Sequence, residues 1–141
     1  MIRLSRTAVR TICEHGARSY GDEACGVLYG NVSSFRDVKS VHRAEPLSNA
    51  RSDQRHRRFL ITPADYARAE ATAARNGWSI LGFYHSHPDH PAIPSSYDLA
   101  HAFPFLSYVI VSVHERLPGE LRSFVMTEDR RQFLEETVEF H

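Results

Sequence analysis

The sequence predicts a single α/β or α+β domain, and three observations predict it. Stretches with apolar residues at helical spacing alternate with short aliphatic and aromatic runs, and no internal repeat or low-complexity linker separates them. A chain of 141 residues, 42% hydrophobic and 24% charged, is long enough for one real core. One domain spanning residues 1–141 is therefore expected.

After a short apolar start, Ser5 can cap a helix whose Ala8, Val9, Ile12 and Cys13 recur at helical spacing, running to about Ser19. Gly21-Asp22 reads as a break. Ala24 to Gly30 is an apolar run bounded by glycines, a buried strand, and Val38 to Val41 is a second. Asn49 to Arg58 is charged and aperiodic, hence a loop, and Phe59-Leu60-Ile61 reads as a strand end. Thr62-Pro63-Ala64-Asp65 offers a cap, a proline in the first turn and an acid three residues on, so a helix should run to Asn76 and stop at Gly77. Trp78 to Tyr84 suits a central strand, followed by a loop containing Pro88, Pro91 and Pro94. Ser95 opens a short helix to His101. Ser107 to Val113 is the clearest strand, and Leu121 to Met126 should pair with it across Pro118-Gly119. The last ten residues leave strand or helix open.

Composition excludes several classes. Seventeen basic and seventeen acidic residues cancel, which gives no general pull toward nucleic acid or an anionic membrane. No run of eighteen apolar residues exists, and Met1 to Arg6 lacks the apolar stretch of a secretory signal. Cys13 and Cys25 are too few for a disulfide scaffold and too far apart for a Cys-x-x-Cys site, so a reducing cytoplasm is the expected location. Nine histidines are the excess that invites a chemical explanation.

His85-Ser86-His87 follows directly on the strand ending at Tyr84. Strand side chains alternate, so both imidazoles point to one side and can grip one ion. Asp98 follows eleven residues after His87, in the first turn of a predicted helix from which its carboxylate can swing back. Two histidines, a carboxylate and an open position for water are the ligands of a catalytic rather than a structural zinc. Ser95-Ser96-Tyr97-Asp98 is also a helix capping box, which alone would explain Ser95 and Asp98. The joint spacing of all four residues has a low risk of arising by chance and favours the site.

This pattern, His-Ser-His, seven residues, Ser, two residues, Asp, resembles without a gap the metal signature of the JAMM (MPN-plus, Mov34/PAD-1) zinc metallopeptidases. The resemblance runs from the first helix to about Val113. It implies a single MPN-type domain with a mixed central β-sheet flanked by helices, one Zn²⁺ per chain on His85, His87 and Asp98, and an upstream glutamate at the start of an apolar strand. Glu23 stands there; Glu14, the nearby rival, lies inside the first helix. Glu23 is suited to shuttle the proton and Ser95 to donate to the oxyanion. Gly82-Phe83-Tyr84-His85-Ser86-His87-Pro88 and the compact length are similar to the small prokaryotic members, which are associated with ubiquitin-like sulfur-carrier proteins and cleave after the carrier's Gly-Gly. Such a carrier is thus the implied partner and substrate, with no nucleic acid and no membrane.

Other residues read differently. Cys25 in an apolar strand is core rather than a nucleophile. His90 is a solvated loop residue, and the remaining histidines have no ligand spacing. The Arg55-His56-Arg57-Arg58 run is a solvated loop or a contact for an acidic partner. A zinc deaminase would need His-x-Glu and Pro-Cys-x-x-Cys, both absent. The competing function is a non-catalytic scaffold of the same fold that binds protein partners.

Overall fold

The computed structural model describes residues 1–35, 37–48 and 61–141. The expected loop at 49–58, with its arginine run, and Phe59-Leu60 lie outside the described residues. Ile61, which is described, is not in a strand.

The structure is a single α+β domain. Its strands are β1 (Ile2–Leu4), β2 (Cys25–Ser33), β3 (Val38–Leu47), β4 (Ser79–Pro88), β5 (Ser107–His114), β6 (Leu117–Met126), β7 (Phe133–Glu136) and β8 (Val138–Phe140), and its helices are α1 (Arg6–Arg18), α2 (Pro63–Asn76) and α3 (Ser96–His101). Among the described residues, one mixed sheet holds all eight strands in the order β7-β6-β5-β4-β2-β3-β1-β8. At its centre β4 runs antiparallel to β2 and parallel to β5.

Alternation along β2 and β4 builds two cores. Leu28 and Tyr84 face α1, where Ala8 and Ile12 pack on them together with Val109, Val111 and Val113. Complete burial of Ile12 is worth about 1.5–3 kcal/mol over exposure. Ser5 caps α1 by accepting from the Ala8 N–H at 3.1 Å. Tyr84 fits only because residue 26 is glycine: a Cβ there would stand 2.2 Å from the Tyr84 ring. The Tyr84 hydroxyl meets His15 Nδ1 at 2.8 Å. On the opposite face Val27, Tyr29 and Phe83 pack against Ala69 and Ala73 of α2. Gly77, at φ 67°, ends α2 in the left-handed conformation that glycine adopts without strain.

Only Thr137 separates β7 from β8, yet these strands stand at opposite ends of the strand order. The sheet therefore rolls until its edges meet. The Ile2 N–H donates to Thr137 O at 3.0 Å, and the Met1 ammonium lies 3.8 Å from Glu136. The last residues are thus strands that seal the sheet.

Three expectations need correction. β4 does not stop at Tyr84 but carries His85, Ser86 and His87 within the ladder, paired to β5 as far as Pro88. β3 runs six residues beyond Val41, through His42, Arg43 and Pro46; past Val41, β1 no longer pairs with it, so its outer positions tolerate polar residues and a proline. The β5–β6 turn is not Pro118-Gly119. It is Glu115-Arg116, whose φ values of 48° and 67° suit a two-residue type I′ hairpin, the turn that matches right-handed strand twist.

Candidate metal centre

The site sits on the α2 face, where β4 leaves its pairing with β2. Cys25 pairs with His85, and beyond it the two strands are held by Ser86. The Ser86 N–H donates to Ala24 O at 3.0 Å, and its hydroxyl oxygen accepts from the Ala24 N–H at 2.8 Å. The middle residue of His-Ser-His thus points away from its neighbours and pins Ala24, the residue between Glu23 and the start of β2. Sequence reasoning passed over Ser86, although the alternation that put both histidines on one face also put this serine on the other.

His85 is fully buried and His87 is 6% exposed. Their Nε2 atoms lie 3.1 Å apart. Asp98 Oδ2 lies 3.3 Å from His85 Nε2 and 3.4 Å from His87 Nε2. Donors about 2.0–2.1 Å from a tetrahedral zinc stand about 3.3 Å from one another. The three present therefore fit that ion. His87 is oriented from behind: its Nδ1–H donates to Pro91 O at 2.9 Å, which leaves the Nε2 lone pair facing the cluster. The proline loop supplying that carbonyl is fastened in turn, with Ala92 buried, the Ser112 hydroxyl donating to His90 O at 2.6 Å and the Asp89 N–H donating to Val113 O at 2.8 Å. A backbone carbonyl has no sequence signal, which is why Pro91 was invisible beforehand.

The Ser95 box is a true helix cap and serves the site as well. The Asp98 N–H donates to Ser95 Oγ at 3.1 Å, and the Ser95 N–H donates to Asp98 Oδ2 at 2.8 Å. That oxygen is the one facing both histidines. Burial works against a charged Asp98, but His85 beside it and the hydrogen bond from the Ser95 N–H outweigh this and hold the carboxyl well below its usual range. Ser95 itself is exposed, one turn before Asp98. Glu23 is 5% exposed, with Oε1 4.0 Å from His87 Nε2, close to the donor cluster but outside it. Cys25 is buried, and burial pushes its thiol up to about 12, away from the thiolate that a nucleophile needs. His90 is exposed.

A cavity of about 690 Å³ opens beside the cluster, with His85 and Asp98 in its wall. Its aromatic lining, Tyr66, Phe83 and Tyr108, is core by sequence pattern alone. Among the described residues, no helix is long and apolar enough to cross a membrane.

Comparison with known proteins points the same way. Residues 5–127 match the family of prokaryotic homologs of the JAB domain. The chain is 35% identical over 125 residues to the CysO-cysteine peptidase of Mycobacterium tuberculosis, covering 82% of this chain and 76% of that protein. It is 32% identical over 96 residues to a desampylase of Haloferax volcanii, covering 67% of this chain and 66% of that protein, just under two thirds of its length. A solved structure from Desulfitobacterium hafniense superposes with a TM-score of 0.86 at 34% identity, covering 100% of this chain and 93% of that one.

Proposed function

The chain belongs to the family of prokaryotic homologs of the JAB domain, and on that premise we propose that it is a zinc-dependent peptidase or isopeptidase. Its substrate is a ubiquitin-like sulfur-carrier protein, cut after the C-terminal Gly-Gly. The observation that carries this reading is the convergence of three buried donors, His85, His87 and Asp98, at mutual distances of 3.1 to 3.4 Å, with a carboxylate, Glu23, held beside them.

His85, His87 and Asp98 would hold one Zn²⁺ per chain. When bound there, zinc lowers the pKa of water to about 7 and polarises the scissile carbonyl. Glu23 takes the proton from the attacking water and delivers it to the leaving amine, a role its position near the ligands but outside the cluster supports. Ser95 uses its hydroxyl oxygen as the helix cap, so its O–H remains to donate to the oxyanion. Pro91 O keeps His87 in the tautomer that binds metal. Both cysteines are free, in keeping with a domain of residues 1–141 that works in the reducing cytoplasm. A scaffold of the same fold would have no use for three converging donors.

The carrier tail binds extended, read through its backbone, because two terminal glycines offer no side chain to recognise. The test is to incubate zinc-loaded protein with carriers extended beyond Gly-Gly and follow loss of the extension by intact mass. Cleavage is expected, and replacing the final glycine by valine should abolish it. Equal rates for the two tails would overturn the backbone-read tail, and no cleavage of any carrier, with metal confirmed, would overturn the peptidase reading.

A further inference from the structure

Ser112 is a buried serine in an apolar strand, and it has no task in the chemistry above. Along β5, Val109, Val111 and Val113 pack toward α1, while Tyr108 and Ile110 join the cores of the opposite face. Ser112 falls on that second face by alternation, directly beside His87, its partner in the parallel ladder. It is 4% exposed. The β5–β6 register shifts between Val111 and Val113, so the strand is irregular at this residue. Such irregularities re-aim side chains and are common next to functional sites. A buried hydroxyl needs a partner, and this one finds it outside the sheet, donating to His90 O at 2.6 Å.

That bond lands one residue before the carbonyl that orients a metal ligand. Pro91 O accepts from His87 Nδ1–H at 2.9 Å. Between His90 O and Pro91 O stand a planar peptide bond and the two backbone torsions of Pro91, of which the ring locks φ near about −65°. One free torsion is left, and it too is held. The Ile93 N–H donates to Pro91 O at 2.8 Å, closing a three-residue turn centred on Ala92. Ala92 is fully buried and packs with Ile110 and Phe124. Pro91 O thus accepts from the loop and from the imidazole together, and it cannot move without giving up one of these bonds. The Ser112 hydroxyl and the buried Ala92 moor the loop that carries it.

We infer that Ser112 is a positioning residue of the metal centre: through His90 and Pro91 it fixes the imidazole of His87, and so sets how tightly zinc is held. This rests on the zinc reading above and extends it to a side chain that is not itself a ligand. A ring fixed before the ion arrives loses no further freedom on binding it. With the hydroxyl removed, His90 O loses its anchor, the loop loosens, and the ring of His87 regains rotation. Partners behind a ligand histidine are worth about tenfold to a hundredfold in metal affinity, and Ser112, one peptide further out, belongs at the lower end of that range.

The experiment compares the wild-type chain with Ser112→Ala, Ser112→Thr and Ser123→Ala. Ser123 is a matched control: it is fully buried on β6, and its hydroxyl donates to Glu136 at 2.8 Å. Zinc affinity, measured by competition with a chromophoric chelator, is expected to fall about tenfold in Ser112→Ala. It should stay within about twofold of wild type in Ser112→Thr, which keeps the hydroxyl, and in Ser123→Ala. The metal-free protein supplies a second readout. In nitrogen-edited NMR the His87 Nδ1–H should exchange with solvent at least about tenfold faster in Ser112→Ala than in the wild type or the other two variants. Unchanged zinc affinity in Ser112→Ala, or an equal loss in Ser112→Thr or Ser123→Ala, overturns the inference and leaves the zinc reading standing, as does Nδ1–H exchange that does not respond. A wild-type chain that binds no zinc overturns the metal centre, and this inference with it.

Discussion

Two helices of this protein begin with the same device. Thr62-Pro63-Ala64-Asp65 opens α2 and Ser95-Ser96-Tyr97-Asp98 opens α3, and both are complete capping boxes in which the N-cap side chain accepts from the third residue's N–H and the acid accepts from the N-cap N–H. The distances barely differ: 3.1 Å for each N–H to the cap oxygen, and 3.1 and 2.8 Å for the return bonds to Asp65 and Asp98. Their surroundings differ entirely. Asp65 turns its second oxygen to the exposed guanidinium of Arg68, three residues along its own helix. Asp98 turns the very oxygen that completes the cap toward two buried imidazoles from another element. A capping box is thus also a way to aim a carboxylate: the cap fixes its orientation within one turn, and the element opposite decides whether the aim has a use.

The largest expected effect comes from removing what only the second box faces. His87→Ala should abolish stoichiometric zinc and all turnover, measured by elemental analysis of protein purified without added metal and by loss of the carrier extension. Asp98→Asn should lose metal affinity and rate together, whereas Asp65→Asn should keep its zinc; retention of zinc by His87→Ala would show that the boxes do not differ as described.

Next in size is Glu23→Gln. It keeps the reach of the side chain but cannot accept a proton, so turnover should fall by roughly a hundredfold to ten-thousandfold with zinc near the wild-type level. Loss of zinc in this variant would make Glu23 a ligand.

The two cap residues give a matched pair. Thr62→Ala and Ser95→Ala should each cost about 1 kcal/mol in urea unfolding, the usual worth of a cap. Ser95→Ala alone should also lower kcat, by about a hundredfold to a thousandfold, if its O–H serves the oxyanion. Equal, small effects on rate would leave Ser95 a cap and nothing more.

The smallest effect concerns pH at the first box. Burial opposes a charged Asp65, but hydrogen bonds from Thr62 and the Arg68 guanidinium outweigh it and hold the carboxyl below its ordinary value. A depressed folded-state value means stability that is fully present above the unfolded value, near 4, and is lost as pH falls through the folded one. The stability gap between the wild type and Asp65→Asn should therefore be largest above about pH 5 and close below about pH 4. A gap that widened on acidification would reverse the assigned direction.

Sequence alone determined what depends on neighbours a few residues away. The caps at Ser5, Thr62 and Ser95 and the stop at Gly77 are satisfied within a single turn of chain, so their residue types carry them wherever the helix packs. The common side of His85 and His87 follows from the two-residue period of a strand, and it held even though β4 runs on past Tyr84 to Pro88. The spacing to Asp98, together with the family resemblance, carried the choice of ligand set. The tertiary structure decided the rest. The rolling of the sheet that joins β7 to β6 and β8 to β1 across one residue, the pinning of Ala24, next to Glu23, by Ser86, the carbonyl of Pro91 behind His87 and the aromatic cavity all join groups distant in sequence or lacking any side-chain signature. The hairpin turn departs from its local signal for a related reason: Glu115 and Arg116 accept left-handed backbone angles because the twist of two long paired strands imposes them, against the local preference for Pro118-Gly119. Local hydrogen bonds are written in residue type, whereas a contact across the fold exists only once burial of many side chains has offset the entropy of bringing distant segments together.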